Sequence, residues 1–330
     1  MKKRIFAKAM TQPTFVAVLL IGLCSGTAAQ QVPDPLLKGS IDTHIHTEEE
    51  YAILEDGGMD IIQLAKRAQE KGMRAIVVKS LTFETATRAY LTQKQVPGIE
   101  VYGGLTLDAS VGGMNPASVS AMGRLKLANA KMVWMPVFDS KASVQATGAK
   151  RDFVKVSENG KLTPQALATI DTIAKYGFSI GTGHLGADEA LLVVRAARAR
   201  NIPVVVTHAL QKPVSMNLQQ MKEVARLGGF IEHTAFGDWK GKNSHFFKSF
   251  YKDQPRITVE DMAKCINAIG AEHTIIATDM GQAFSPDPPD GLKWFIMGLK
   301  KEGITDQQID IMVRQNPARL LQLPELETQK

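Results

Sequence analysis

Beyond residue 39, short apolar runs of strand character alternate with longer amphipathic segments, and no linker or low-complexity stretch breaks the alternation. Strand character falls at residues 40–44, 75–79, 101–107, 132–138, 179–182, 203–207, 230–233 and 274–278. Between these runs, residues 61–71, 83–93, 116–128, 164–176, 188–200, 218–227 and 259–269 carry apolar side chains at spacings of three and four, the period of a helix with one buried face. Gly72, Gly177, Gly228 and Gly270 stand where such helices end, just ahead of the next strand, as a left-handed helix terminus requires. Parallel strands need a long crossover between them and antiparallel ones do not, so this alternation implies a parallel sheet. Eight repeats imply an α/β fold of the (β/α)8 TIM-barrel type. Residues 307–321 predict an extra C-terminal helix, interrupted before Pro317. Two connections, 139–163 and 235–258, exceed ordinary loop length and are expected to cover the active face.

Length and charge narrow the reading further. The 330 residues, 44% hydrophobic and 22% charged, describe a globular chain with enough apolar material for a sizeable core. Two domains of ~150 residues or one barrel of ~250 would both fit that length, and the unbroken alternation selects a single domain over residues 30–330. Ahead of it, Lys2, Lys3, Arg4 and Lys8 precede the apolar residues 14–23 and then Gly26-Thr27-Ala28-Ala29, the pattern of a Sec-type secretory signal peptide cleaved after Ala29. The apolar run is about half of the ~20 residues needed to span a bilayer, so no stable membrane anchor is expected after cleavage. The chain is therefore expected to be exported, to the periplasm or the medium. Of the net charge of +6, four units reside on that leader, and the +2 that remains gives no reason to expect a nucleic-acid partner. Cys265 is then the sole cysteine. It is expected in the core, with no internal disulfide.

In a (β/α)8 barrel the chemistry sits at the C-terminal ends of the strands. The first strand ends in Asp42-Thr43-His44-Ile45-His46, whose two imidazoles, two residues apart, point to the same side of an extended segment and can share a metal. The second ends in Lys79, the fifth reaches His184, the sixth His208 and the eighth Asp279. Four of the seven histidines thus fall at the ends of these strands. A lone strand histidine is ordinarily structural. Four with an aspartate converging on one mouth make a site for a divalent metal, with Zn²⁺ the best match to imidazole and carboxylate and Mn²⁺, Fe²⁺ or Co²⁺ as other occupants.

This ordered set, HxH on strand one, histidines on strands five and six and aspartate on strand eight, resembles the amidohydrolase superfamily. More closely, residues 72–79, Gly112-Gly113-Met114-Asn115-Pro116, Val133-Trp134-Met135-Pro136 and Thr182-Gly183-His184-Leu185 resemble a branch of that superfamily known only as a domain of unknown function, and Asn316-Pro317-Ala318-Arg319-Leu320-Leu321 is similar to the C-terminal segment of many members. Common binuclear members place a carboxylated lysine or a glutamate at the end of strand four, whereas this chain runs Pro136-Val137-Phe138-Asp139. The resemblance implies two alternatives. Either Lys79 is carboxylated and bridges two ions, the first held by His44, His46 and Asp279 and the second by His184 and His208, or Lys79 is unmodified and holds an anionic substrate or Asp279.

The implied chemistry is hydrolysis by metal-activated water, with Asp279 as the catalytic proton acceptor and donor. Glu232 and His233 are candidates for orienting a ligand or touching substrate. Asn115, Asp139, Trp134, Arg88, Lys212 and Trp239, near strand ends, are candidates for shaping the pocket, and His245 for a lid. The expected partner is a small molecule, first a carboxylic amide, ester or lactone. The alternatives are phosphoester or phosphotriester hydrolysis, mononuclear metal-dependent decarboxylation, and a non-catalytic periplasmic metal-binding protein.

Overall fold

A computed structural model describes residues 33–48, 58–79, 81–127, 129–241, 254–283 and 285–324. The signal-peptide segment and His245 lie outside the described residues.

All eight expected strands are present: β1 (Ile41–Ile45), β2 (Ala75–Val78), β3 (Glu100–Thr106), β4 (Ala130–Trp134), β7 (Ser179–Gly181), β8 (Val204–Val206), β9 (Phe230–Thr234) and β10 (Thr274–Ala277). They form one parallel sheet in sequence order. Where the chain leaves β10 it returns to β1: the Asp279 N–H donates to the His44 carbonyl (2.8 Å) and the His46 N–H to the Met280 carbonyl (2.8 Å). These bonds draw the first and last strands together, and the sheet becomes a nearly closed (β/α)8 barrel.

Inside the barrel, alternate strand residues pack on one another. Ile41, Ala75, Val77, Tyr102, Met132, Trp134, Val205 and Ile275 fill the lumen, and Ala318, Leu320 and Leu321 from the C-terminal helix join them. Trp134 therefore belongs to the core rather than to the pocket. Its indole needs room beside it, and β3 provides that at Gly104, where a Cβ would overlap the Met132 carbonyl and approach the Trp134 ring to 2.9 Å. Outside, the crossover helices pack their apolar faces on the sheet; one of them, Pro164–Tyr176, matches the expected segment residue for residue, capped by Thr163 and ended at Gly177 with φ +70°. Cys265 packs half-buried against this core, as expected.

Three features depart from the sequence reading. A helix at Pro288–Lys301, capped by Asp287, follows β10 where none was assigned. The connection 139–163 carries its own helix, Lys141–Thr147, and a hairpin pairing β5 (Ser157–Glu158) with β6 (Lys161–Leu162). The C-terminal helix is not broken before Pro317: Asp306–Asp310 leads through a π-helical turn, Ile311–Gln315, into Asn316–Leu320. The wider turn accommodates the proline, which has no N–H to donate and whose ring crowds a normal helical turn. Asn316 is buried and donates to the Ala271 (2.8 Å) and Thr274 (2.7 Å) carbonyls, pinning this helix to the start of β10.

Gly104→Ala is expected to lower the unfolding free energy by about 3 kcal/mol, the upper range for overpacking, because the obstacle is backbone and cannot swing aside. Urea denaturation checks this, and wild-type stability in that variant would show that β4 yields to the added methyl at no cost.

Candidate metal centre

The barrel closure sets the geometry of the site. His44 and His46 lie at the end of β1 and Asp279 just past β10, so the bonds that close the sheet also bring the three together. His44 Nε2 and His46 Nε2 are 3.3 Å apart, and each is 3.0 Å from the same oxygen, Asp279 Oδ1. All three residues are buried. Asp279 reaches this point because its backbone is left-handed, with φ +58°, a conformation that aspartate tolerates better than most residues. Two residues on, Gly281 (φ +126°) passes so close to β1 that a Cβ would overlap the His46 carbonyl.

The donors around this point fit a metal. His44 Nδ1 donates to Glu232 Oε2 (2.9 Å), which leaves Nε2 to face Asp279 and His46. Burial works against a charged His44, but the carboxylates of Asp279 and Glu232 outweigh it and raise its pKa to about 9. A cation is thus strongly favoured in the gap. A proton on His44 Nε2 lies on only one ligand atom of the three, whereas a divalent ion with bonds of ~2.0–2.1 Å touches all three, since tetrahedral ligands at that radius sit about 3.3 Å apart. Burial holds His46 down to about 4. Against the cost of its own burial, Asp279 is kept well below the usual carboxylate range by the charge and hydrogen bond of His44 and the hydrogen bond of His46. A neutral imidazole and an ionised carboxylate are the forms that bind metal.

His184 and His208 stand beside this cluster. Their ring centroids are 4.9 Å apart, and His208 lies 6.0 Å from His44. Burial pushes both well below the ordinary histidine value, and the neighbouring Lys79 ammonium pushes the same way. Ser143 Oγ hydrogen-bonds His184 Nδ1 (3.2 Å), while the buried His208 Nδ1 has no hydrogen-bond partner. His208 also sits on left-handed backbone (φ +30°), the kind of local strain that clusters at functional sites. Lys79, 1% exposed, lines the same cavity as His46, His184, His208 and Asp279. That cavity has a volume of about 320 Å³ and opens at the C-terminal end of the barrel.

The supporting residues separate into those the structure brings in and those it does not. Glu232 is brought in: besides His44 it accepts the His208 backbone N–H (3.1 Å), so one carboxylate fixes parts of both half-sites. His233 is not. It is the next residue along β9 and faces the other way, buried with Nε2 unbonded and its pKa pulled down to about 4 by burial alone. Asn115 caps the helix Pro116–Arg124, accepting the Ala117 N–H. Asp139 pairs with Arg151 and accepts the Ala109 N–H (2.9 Å), at the rim and outside the cavity lining. Lys212 does line the cavity, whereas Arg88 and Trp239 do not.

Two aspartates that the sequence reading passed over hold the frame. Asp42 accepts from Thr278 Oγ1 (2.6 Å), Thr278 N (3.2 Å) and His44 N (3.1 Å), and burial raises its pKa to about 7. Asp108 accepts the N–H groups of Val137 (2.7 Å), Phe138 (3.0 Å) and Asp139 (3.2 Å), and burial raises it to about 6. Asp108 thus shapes the end of strand four, and Phe138 enters the cavity there in place of a carboxylate.

A family of unknown function, DUF6282, matches residues 39–232, which hold every residue of the site except Asp279 and those that follow β9. The chain belongs to DUF6282. Curated proteins yield no match to it. Among solved structures this DUF6282 member is similar in fold to an amidohydrolase from Pseudomonas aeruginosa (14% identity, 87% of this chain and 97% of that one, TM-score 0.54). It is likewise similar to an organophosphorus hydrolase from Deinococcus radiodurans (13%, 87% and 93%, 0.54) and to a 2,6-dihydroxybenzoate decarboxylase from Rhizobium (11%, 86% and 99%, 0.53).

Glu232→Gln is expected to weaken metal binding about 10–100-fold while the barrel stays folded, the usual cost of losing a carboxylate that orients a ligating imidazole. Competition with a chromophoric chelator, alongside circular dichroism, measures it. Unchanged affinity would remove Glu232 from the support of the site.

Proposed function

We propose that the protein is an exported metal-dependent hydrolase acting on a small carboxylic amide, ester or lactone. The observation that carries the reading is the convergence of His44, His46 and Asp279 on one buried point beside a second histidine pair. Amidohydrolase and organophosphorus hydrolase among the fold neighbours support the reaction class. Zn²⁺ suits the donors best, and His184, His208 and a carboxylated Lys79 would complete a second site. A divalent ion held there supplies a Lewis acid and lowers the pKa of water towards neutrality.

The chain's own residues do the rest. His44, oriented by Glu232, and His46 turn their Nε2 atoms towards Asp279, and His44 would give up its Nε2 proton when an ion binds. Asp279 Oδ2, the oxygen not shared between the imidazoles, receives the proton of the attacking water and returns it to the leaving group. Phe138, Leu81 and Phe236 line the cavity and limit water around the reacting centre. Export rests on the N-terminal basic and apolar pattern.

A second reading, decarboxylation at a single ion, draws on one feature: among the described residues one group of three ligand atoms converges, not two. A decarboxylase among the fold neighbours supports it.

Metal analysis of freshly purified protein with a panel of amides, esters, lactones, phosphotriesters and aromatic acids distinguishes these readings, since hydrolysis and CO₂ release are scored separately. Asp279→Asn keeps the side chain's size and one coordinating oxygen. It is expected to lower turnover by ~10² or more while much of the metal remains. Near-wild-type turnover in the metal-loaded variant would exclude Asp279 as proton carrier. Lys79→Ala is expected to lose one metal equivalent and to regain it with added short-chain carboxylic acids; full occupancy without them would mean that no carbamate bridges two ions.

A further inference from the structure

The cavity wall above the metal ligands is unevenly charged. Lys79, Arg151, Lys212 and Lys240 line it, and among the described residues Asp279 is the one carboxylate that does. That carboxylate is already shared between His44 and His46. Arg151 is engaged at the rim, where it pairs with Asp139 and donates to the Phe138 carbonyl (2.6 Å).

Lys240 is placed differently. It follows the 3₁₀ segment Ala235–Trp239 that leaves β9, is only 6% exposed, and carries its ammonium 5.1 Å from the centroid of the Phe236 ring. Burial lowers its pKa to about 8, with the Asp279 charge opposing and the Lys79 charge assisting. Keeping an ammonium out of water is costly, and a like charge in the same cavity adds to the cost. Whether Lys79 is carboxylated or not, Lys240 keeps its place, and a divalent ion below makes the cavity more positive still. An anion is the ligand such a cavity favours. Beside Lys240 the wall carries the apolar Phe236 ring, and the volume of about 320 Å³ admits only a small molecule.

We propose, building on the metal-dependent reading above, that the substrate carries an anionic oxygen group, carboxylate or phosphoryl, separated by a short carbon chain from the reacting centre, and that Lys240 receives it. One end of the substrate then lies at the metal ligands and the other at Lys240.

Calorimetric titration of the metal-loaded protein at pH 7 with glutarate, 3-phosphonopropionate and butyrate tests this. Butyrate, with one carboxylate, can engage only one end at a time, and the divalent ion is the stronger site for it, whereas the other two reach both ends. Glutarate or 3-phosphonopropionate is expected to bind about tenfold or more tightly than butyrate, about 1.4 kcal/mol. Lys240→Gln should abolish that preference and leave butyrate unchanged, while Lys240→Arg should retain most of it. Whichever dianion loses more identifies the group as carboxylate or phosphoryl. Equal binding of all three by the wild type, or an equal loss for all three in Lys240→Gln, would overturn the proposal. Chelation separates it from the reading on which it rests: if butyrate binding survives metal removal, the metal end is wrong, while a preference for dianions that still depends on Lys240 stands by itself.

Discussion

The closure of the sheet between its first and last strands is the constraint on which the rest of this molecule depends. Two backbone hydrogen bonds, from Asp279 to the His44 carbonyl and from His46 to the Met280 carbonyl, join segments more than 230 residues apart. Without them His44 and His46 would have no Asp279 to face. Asp42 and Thr278 reinforce the same seam with side-chain hydrogen bonds just below the ligand atoms. Gly281 permits the close approach that the seam demands. The bonds that hold the barrel and the geometry of the His44, His46 and Asp279 cluster therefore have one cause.

Buried charge is the second theme. Asp42, Lys79, Glu232, Lys240 and Asp279 are all nearly inaccessible to water, an arrangement that costs stability unless partners compensate. Each carboxylate has hydrogen-bond donors aimed at it, and Glu232 serves two histidines at once. The cations lie on the cavity side, where they line the wall with Asp279. Such pre-paid organisation costs little further rearrangement when charge develops in a reaction, which is how sites of this kind stabilise a transition state.

Much of this was legible in the chain. A period near 3.6 alternating with short apolar runs is a local property, and it located all eight barrel strands. The pairing of His44 with His46 is equally local, because residues two apart on a strand face the same way. Other signals were present but unread. Asn159-Gly160, both with positive φ in the structure, is a strong two-residue hairpin turn, and Asp287 before Pro288 marks a helix start that the glycines of Pro288–Lys301 obscured.

What only the tertiary structure decided concerns direction and partnership. Sequence could not separate Glu232, which points in to His44, from His233, which points away, because the phase of a strand is set by the barrel around it. Nor could it show that Asp139 belongs to Arg151, or that Asp108 shapes the end of strand four. Trp134 fills the lumen because Gly104 on one side and Gly181 on the other leave it space, a fact about three neighbouring strands and not about any one alone. By itself the sequence determined the barrel and the residue types at its mouth, since both follow from periodicity along the chain. The shared oxygen of Asp279 comes from closure, which brings together residues that no local pattern relates, and the buried ammonium of Lys240 from the packing of the segment that leaves β9.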